Sequence, residues 1–307
     1  MKILVISSNL IGDTILSSGV IQHFLNIYPK SKVTFVIGPT AKQIYEHFPN
    51  LDRIVVIKKK KFNLHWLEIF SNCFFSKWDI IIDFRSSIIS YFLLHRKKYI
   101  FKKDNRYHQL EQLKNFFKFD CSNLNIYNND NEKDEASASI IDNYQHIVLS
   151  PGGNWPPKIW SANKFNELMK LINSCFKNVK FIIVGSIHEK NNFYEDVIKD
   201  INKDQIINLM GSSLTLTSAF MKKSDLFIGN DSGLMHLSVA SNLKTIGLFG
   251  PTNDKIYAPI GKNCFVIRTE ESYDYFKKSI NDTSRSYMET INVQKIMNLI
   301  QNNDLLK

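Results

Sequence analysis

Short apolar runs rich in β-branched residues recur along the first part of the chain. The first is "KILVISS" at the start, followed by "KVTFVIG", "DRIVVI" and "WDIIIDF". Such runs are typical of buried parallel strands. After the first run, apolar residues repeat with helical spacing from Ile15 to Tyr28. Strands that alternate with helical patterns predict βαβ units and a doubly wound parallel sheet.

The pattern restarts after a polar, acidic stretch at residues 128–144. The later apolar runs are "HIVLS", "KFIIVG", "QIINL", "DLFIG" and "KTIGLF", and "ANKFNELMKLINSCF" has the spacing of a helix with Ser161 as its N-cap. We therefore predict two Rossmann-like α/β domains, at residues 1–143 and 144–307. In this architecture ligands bind at the carboxyl ends of the strands, so we expect the two domains to face each other across a cleft.

Composition fits this picture and adds an uneven charge. Of the 307 residues, 44% are apolar and 22% charged, which is typical of a globular protein. The net charge of +10 lies entirely in residues 1–120, which hold nineteen Lys and Arg against nine Asp and Glu. The densest basic patches are at residues 58–61 and 95–106. They indicate either a solvated basic face or contact with an anionic partner, such as nucleic acid, a phospholipid surface or an acidic substrate.

Several classes of protein are disfavoured. The four cysteines are scattered without a CxxC pair, which argues against a zinc site or disulfide framework and fits the reducing cytoplasm. The opening residues are interpreted as a strand and helix rather than a signal peptide, because Asp13 interrupts the apolar stretch. The best candidate for a membrane span, residues 79–94, is broken by Asp83 and Arg85.

The densest candidate chemistry is "GNDSGLMH" at residues 229–236, directly after a predicted strand. Asp231 or Ser232 would cap the next helix, whose exposed N–H groups attract anions. Gly233 would permit close approach of a phosphate, and His236 could point back at it. "FGPT" at the next strand end repeats this theme, so the pair suits a diphosphate. An ordinary N-cap with a core histidine is the alternative for "DSG" alone.

Two more strand ends carry polar groups. "PGGNWPPKIW" places Lys158 on a proline-stiffened loop, where it is either a point charge for a phosphate or a surface lysine. Trp155 and Trp160 are interpreted as packing residues. "VGSIHE" places Glu189 where an acidic residue could accept a hydrogen bond from a ribose hydroxyl.

These residues, in this order, resemble glycosyltransferase family 9, the ADP-heptose:lipopolysaccharide heptosyltransferase family. The resemblance covers most of the chain, with "DFRSS", "YHQLEQ", "VGSIHEK" and "METINV" as landmarks, and it is most specific over residues 208–252. It implies a GT-B fold, a nucleotide-sugar donor on the second domain, and inverting, metal-independent transfer.

Carried over by position, the resemblance implies that Asp13 is the catalytic base, with Gly12 keeping its turn tight. An inverting transfer needs one carboxylate to take the proton of the acceptor hydroxyl. A helix N-cap is the alternative role for Asp13, and both roles could hold at once. No metal or cofactor is expected, because lysine and a helix dipole can stabilise the leaving diphosphate. The implied donor-binding residues are Lys158, Glu189, Met210, Gly211, Asp231, Ser232, Gly233 and His236.

The resemblance also offers a partner for the basic first domain. Phosphates and sugar carboxylates of the lipopolysaccharide core, or the anionic inner-membrane surface, could meet the patches at residues 58–61 and 96–103. The acceptor-side candidates are Gly12, Lys58, Lys59, Lys60, Lys61, Arg85, Arg96 and His108; His108 could instead be structural. Cysteines that family members often carry near the end are missing here. Since the family also contains transferases for other glycans, the donor sugar and the acceptor stay open at this point.

Two other classes of protein are alternatives. A nucleotide-sugar epimerase would bring more carboxylates and histidines to the cleft, and a serine hydrolase would need a GxSxG turn, which "GNDSG" does not supply. A non-enzymatic protein could bind nucleic acid, or could bind the nucleotide-sugar donor without catalysing transfer. The chain has no Walker or nucleic-acid motif, so no nucleic-acid partner is expected, and the presence of Asp13 disfavours lost catalysis.

Overall fold

The computed structural model describes residues 1–58 and 65–307. Of residue 65 it describes only the backbone. These residues form two compact units, Met1–Tyr127 and Asn128–Lys307. The units divide earlier in the chain than the predicted boundary after residue 143.

The difference arises from a helix that the sequence pattern did not reveal. Residues Asp130–Ser139 form helix α4, which begins at a capping box between Asn129 and Glu132. The side chain of Thr215 donates to the Glu132 carboxylate over 2.5 Å, which ties α4 to the second unit. The helix is highly polar and buries little apolar surface, so it lacks the periodic apolar face that predicts a helix.

The first unit is built on a five-stranded parallel sheet with the order β3-β2-β1-β4-β5. Its strands are β1 Lys2–Ile6, β2 Lys32–Ile37, β3 Leu51–Val56, β4 Trp78–Asp83 and β5 His95–Ile100. Its helices are α1 Ile11–Ile27, α2 His65–Cys73 and α3 Gln109–Phe117, with short 3₁₀ helices at Lys42–Tyr45 and Ile88–Tyr91. The first four strands confirm the predicted ones, whereas β5 was not predicted.

Helical segments cover both faces of this sheet. On one face, the ring of Tyr99 lies 5.4 Å from that of Phe24 in α1 and 5.7 Å from that of Phe117 in α3. On the other face, α2 and the 3₁₀ helix Ile88–Tyr91 pack into one apolar cluster with Leu4 and Ile81. Among the described residues, none of the helices combines the length and apolarity that a membrane crossing requires.

The second unit is built on a six-stranded parallel sheet with the order β11-β10-β9-β6-β7-β8. Its strands are β6 Gln145–Ser150, β7 Val179–Ile183, β8 Ile206–Asn208, β9 Leu226–Asn230, β10 Lys244–Phe249 and β11 Cys264–Arg268. Its helices after α4 are α5 Ala162–Cys175, α6 Ile187–Ile198, α7 Leu214–Met221, α8 Gly233–Ala240, α9 Asp254–Tyr257, α10 Tyr273–Ser279 and α11 Val293–Asn302, and 3₁₀ helices lie at Pro156–Lys158 and Lys203–Gln205. The five strands predicted here are confirmed, and β11 is additional.

Local sequence signals explain how the second unit begins its helices. Ser161 caps α5 as predicted, since its side chain accepts from the Lys164 N–H. Trp160, next to this cap, is buried and donates from Nε1 to the Ile291 carbonyl over 3.0 Å. This confirms Trp160 as a packing residue. The loop that precedes α5 is therefore anchored at its far end by the core.

Candidate functional site

The polar segments that the sequence analysis singled out in the second unit lie along one edge of its sheet. Strands β10, β9, β6, β7 and β8 are consecutive neighbours and run parallel, so their carboxyl ends meet at that edge. The segments that leave these ends are, in the same order, 250–252, 231–233, 151–158, 184–189 and 209–211. The predicted donor-binding residues of these segments are thus brought to one sheet edge.

Asn230, the last residue of β9, holds the loop of residues 151–158 against this edge. Its side chain is completely buried. It donates to the carbonyls of Pro151 and Gly152 over 2.9 and 3.1 Å, and accepts from the Trp160 N–H over 3.0 Å. Sequence reasoning missed this residue. A polar residue at the end of an otherwise apolar strand was the available signal.

Lys158 and Asp231 form a pair in the middle of the edge. The Lys158 Nζ lies 3.7 Å from Asp231 Oδ2, and the two side chains are only 14% and 9% exposed. The Asp231 N–H donates to the Leu248 carbonyl over 3.1 Å, so the carboxylate is carried on a fixed backbone. Lys158 is therefore not the surface lysine of the alternative interpretation. It presents a charge that is partly removed from water.

Two hydroxyl groups on neighbouring strand ends are buried and make no hydrogen bond to any described residue. They belong to Ser232, after β9, and Thr252, after β10. Ser232 is the N-cap of α8 in backbone position, but its side chain forms no cap hydrogen bond. A buried hydroxyl without a partner is costly, and such groups in native proteins usually have a ligand or water. Ser232 lies at the N-terminus of α8, which favours an anion. His236, on the first turns of α8, is buried.

Glu189 lies against the glycines of two strand ends. A Cβ atom on Gly152 would come within 2.2 Å of Glu189 Oε1, and one on Gly185 within 3.0 Å of its Oε2. The carboxylate also completes the capping box of α6, because Oε2 accepts from Ser186 N–H and Oγ over 2.6 and 2.9 Å. Glu189 thus has a structural role that the sequence analysis did not foresee. Its contact with a ribose stays a prediction.

Met210 and Gly211 stand beside the same strand end. A Cβ atom on Gly185 would come within 2.7 Å of Met210 Cε, so the two residues are in contact. The Gly211 N–H donates to the Gly185 carbonyl over 2.8 Å. Gly211 has a φ of 90°, a left-handed conformation that favours glycine. Glu189, Met210 and Gly211, three of the predicted donor-binding residues, are therefore assembled around Gly185.

In the first unit, Asp13 lies in the first turn of α1 rather than in the loop before it. Leu10 is the N-cap, so the N-cap interpretation of Asp13 is wrong. Asp13 Oδ2 accepts from Lys103 Nζ over 2.8 Å and from Ser8 Oγ over 3.4 Å, and its side chain is 13% exposed. Gly12 precedes it on the same turn. A carboxylate in this position is stabilised by the helix dipole and by the ammonium group.

The sheet register explains why Lys103 reaches Asp13. Asp83, the last residue of β4, pairs with Ile6 of β1 on one side and with Ile100 of β5 on the other. The segments that leave β1, β4 and β5 therefore start side by side, and they carry Asp13, Arg85 and Lys103 respectively. Sequence reasoning included Lys103 in a basic patch but missed this pairing, because β5 had not been recognised.

The buried carboxyl of Asp83 shapes the loop that carries Arg85. It accepts from the backbone N–H groups of Arg85 and Ser87 over 2.8 and 2.7 Å, and from Ser90 Oγ over 2.5 Å. Burial raises the pKa of Asp83, and these hydrogen bonds oppose the rise. The Arg85 side chain itself is exposed beside the strand end.

The remaining acceptor-side candidates are not gathered there. Arg96 lies near the amino end of β5 and contacts Asp79 over 3.3 Å, at the opposite edge of the sheet from Asp13. Lys58 follows β3 and is exposed. His108 is the N-cap of α3 and accepts from the Leu110 N–H over 3.2 Å, which is a structural role. The predicted residues Lys59, Lys60 and Lys61 lie outside the described residues.

Comparison with known proteins identifies the class. The model of glycosyltransferase family 9 (heptosyltransferase) matches residues 105–287, more than half of the chain. The chain is 25% identical to lipopolysaccharide heptosyltransferase 1 of Campylobacter coli, over 98% of each chain. The protein therefore belongs to glycosyltransferase family 9 and is a glycosyltransferase of the heptosyltransferase type.

Solved structures agree on the fold. A family 9 glycosyltransferase from Veillonella parvula matches with a TM-score of 0.76 at 22% identity, over 98% of this chain and 96% of that one. The E. coli heptosyltransferase WaaC with ADP-2-deoxy-2-fluoro heptose matches with a TM-score of 0.73 at 15% identity, over 99% of this chain and 100% of that one. The two parallel α/β units thus have the GT-B fold that the sequence predicted.

Proposed function

We propose that this protein transfers a heptose from ADP-heptose to the inner core of lipopolysaccharide, with inversion at the anomeric carbon and without a metal ion. The acceptor sugar would be a Kdo or heptose residue. The family and its heptosyltransferase relatives support the sugar and the pathway. Such an acceptor is attached to lipid, so the enzyme would work in the cytoplasm at the inner-membrane face.

The donor-binding part of this proposal rests on the polar groups that lie together at the sheet edge of the second unit. Lys158, the buried hydroxyls of Ser232 and Thr252, and the N-terminus of α8 offer a cation and hydrogen-bond donors to a diphosphate. Gly233 would allow a phosphate to approach the helix backbone. The related WaaC was solved with an ADP-sugar analogue, which supports a donor of this class.

The adenosine would extend along the same edge. Glu189 would accept from a ribose hydroxyl through Oε1, while Oε2 stays in its capping box. Met210 and Gly211 would flank the adenine. His236 would contribute to the diphosphate end if its ring turns towards the helix N-terminus. Charge on the leaving ADP would be stabilised as it develops by Lys158 and by the helix N–H groups.

The reaction itself would be a direct displacement with Asp13 as the base. As the acceptor oxygen attacks the anomeric carbon, its proton passes to the Asp13 carboxylate. The bond between the anomeric carbon and the diphosphate oxygen breaks, and ADP leaves with the electron pair. Attack on the face opposite to the leaving group inverts the configuration. Lys103 would hold the carboxylate in place, since it donates to Oδ2 over 2.8 Å.

For the acceptor, Arg85 and Lys103 lie on the segments that follow β4 and β5, next to the turn that carries Asp13. Both would contact anionic groups of the lipopolysaccharide core. Exposed Lys58, which follows β3, would be a further contact for anionic groups of the acceptor. The alternatives are a family 9 transferase for another nucleotide sugar or surface glycan, and a nucleotide-sugar binder without transferase activity. The presence of Asp13 in the first turn of α1 favours a transferase over the binder.

The test measures release of ADP from ADP-heptose with purified lipid A–Kdo acceptors. Release that depends on the acceptor, and a product one heptose heavier by mass spectrometry, is the expected result. Release only with another nucleotide sugar would overturn the donor assignment. If ADP stabilises the protein against heat but none of the core acceptors supports release, the acceptor assignment fails while the donor site stands.

A further inference from the structure

An exposed apolar patch lies on the first unit, on the sheet face that is covered by α2 and the 3₁₀ helix Ile88–Tyr91. Ile89 and Leu93 point into the core cluster beneath. Four other side chains of this segment are about half exposed or more: Ile88 51%, Tyr91 55%, Phe92 62% and Leu94 53%. Four large exposed apolar residues within seven positions are unusual for a free surface and mark an interaction site.

Helix α2 contributes further apolar surface on the same side of the sheet. Its inner residues Ile69 and Cys73 share the core cluster with Ile89 and Leu93. Leu67, on its outer side, is 65% exposed, and Phe75, just past its end, is 91% exposed. Exposed apolar side chains on this side of the sheet are therefore not confined to residues 88–94.

Basic side chains frame the patch from β5. The ammonium of Lys98 lies 4.2 Å from the centre of the Tyr91 ring, a cation–π contact. Arg96 lies on the same side of the strand as Lys98, because alternate residues of a strand share a face. Its side chain is 86% exposed and contacts one carboxylate, Asp79. Aromatic and aliphatic tips beside lysine and arginine match the boundary between acyl chains and anionic headgroups.

We infer that this face, formed by Ile88, Tyr91, Phe92 and Leu94 with Arg96 and Lys98, docks the protein on an anionic lipid bilayer. The apolar tips enter the headgroup boundary while the basic side chains pair with lipid phosphates. The charge of the chain supports a lipid surface over an apolar protein partner, since the whole excess of +10 lies in residues 1–120. The docking needs neither donor nor acceptor, so it stands apart from the transferase proposal.

The test is co-sedimentation of the full chain with vesicles. One set contains phosphatidylglycerol and phosphatidylethanolamine, and the other contains phosphatidylcholine alone. We expect binding to the anionic set only, reduced at least about tenfold in the double variant Tyr91→Ser/Phe92→Ser. Lys98→Gln should reduce it about fivefold. Equal binding to both vesicle sets would overturn the role of charge.

A matched pair of variants isolates the face. Ile88 and Ile27 are 51% and 52% exposed, but Ile27 ends α1, on the opposite side of the sheet. Ile88→Ser should weaken vesicle binding and Ile27→Ser should leave it at the wild-type level. Equal loss in both variants, or no loss in Ile88→Ser and the double variant, would overturn the proposal. So would a dimer, detected by light scattering, that the double variant abolishes while vesicle binding persists.

Discussion

Replacing Asn230 by alanine should loosen the loop of residues 151–158 and so weaken binding of ADP. The Asn230 side chain is completely buried and makes three hydrogen bonds to the backbone: two of 2.9 and 3.1 Å at the start of that loop, and one of 3.0 Å to the Trp160 N–H just after it. Truncation leaves all three backbone groups without their partner. Since each such loss costs about 1 kcal/mol, we expect the free energy of unfolding to fall by about 3 kcal/mol.

The binding effect follows from what the loop carries. Lys158 stands on it, 3.7 Å from Asp231. When Asn230 no longer holds the loop, ADP must order it on binding, and this cost reduces the affinity. A cost of about 1.4 kcal/mol would correspond to about tenfold weaker binding. Isothermal titration calorimetry measures the affinity, and urea unfolding followed by circular dichroism measures the stability.

A second buried asparagine provides the control. Asn166 in α5 donates to the carbonyls of Val197 and Lys199 over 2.9 and 2.6 Å, away from the strand ends. Asn166→Ala should lower the stability by about 2 kcal/mol and leave the ADP affinity unchanged. If Asn230→Ala binds ADP as tightly as Asn166→Ala does, the position of the loop for ADP binding does not depend on Asn230.

Three further predictions concern single groups. Lys103→Met should lower kcat about tenfold, because Asp13 loses the donor that lies 2.8 Å from its carboxylate. Lys103→Arg should recover part of the rate. An unchanged kcat in Lys103→Met would contradict this prediction. Ser232→Ala and Thr252→Val should each weaken ADP binding about fivefold. The melting temperature should stay nearly unchanged, because neither hydroxyl makes a hydrogen bond to described residues. Unaltered ADP affinity would argue against the diphosphate site. Burial lowers the pKa of His146 below its usual 6.5, so the unfolded chain binds the proton first and stability should fall as the pH falls below about 6.5. Melting curves between pH 7.5 and 5 should show a shallower fall in His146→Gln, and an identical fall would refute the assignment.

The parts of the fold that the sequence predicted are those with strong apolar periodicity. The strands buried on both faces, β1 and β4 among them, read as continuous β-branched runs. Strand β5 was missed because it lies at the sheet edge and carries Arg96, Lys97 and Lys98, which made it read as a charged patch. Edge strands need not be apolar, so periodicity does not reveal them.

The candidate site was predictable where its residues follow recognised strands. Lys158, Ser232 and Glu189 reach one sheet edge because each follows a strand that the sequence pattern indicated. The pairing of Asp13 with Lys103 depends on the neighbourhood of β1, β4 and β5, which requires the strand order. Asn230 acts through hydrogen bonds to backbone groups more than seventy positions away in the chain. Contacts of that kind leave no local sequence signal.

The most direct measurement of the central claim is the rate of acceptor-dependent ADP release by Asp13→Asn, compared with the wild type and with Asp52→Asn, an exposed carboxylate on β3. Asp13→Asn keeps the shape of the side chain but removes the base. If Asp13 is the base, kcat should fall about 10²- to 10⁴-fold in Asp13→Asn with unchanged ADP affinity, and Asp52→Asn should keep the wild-type rate. Release at the wild-type rate by Asp13→Asn, in the presence of acceptor, would contradict the assignment of Asp13 as the base.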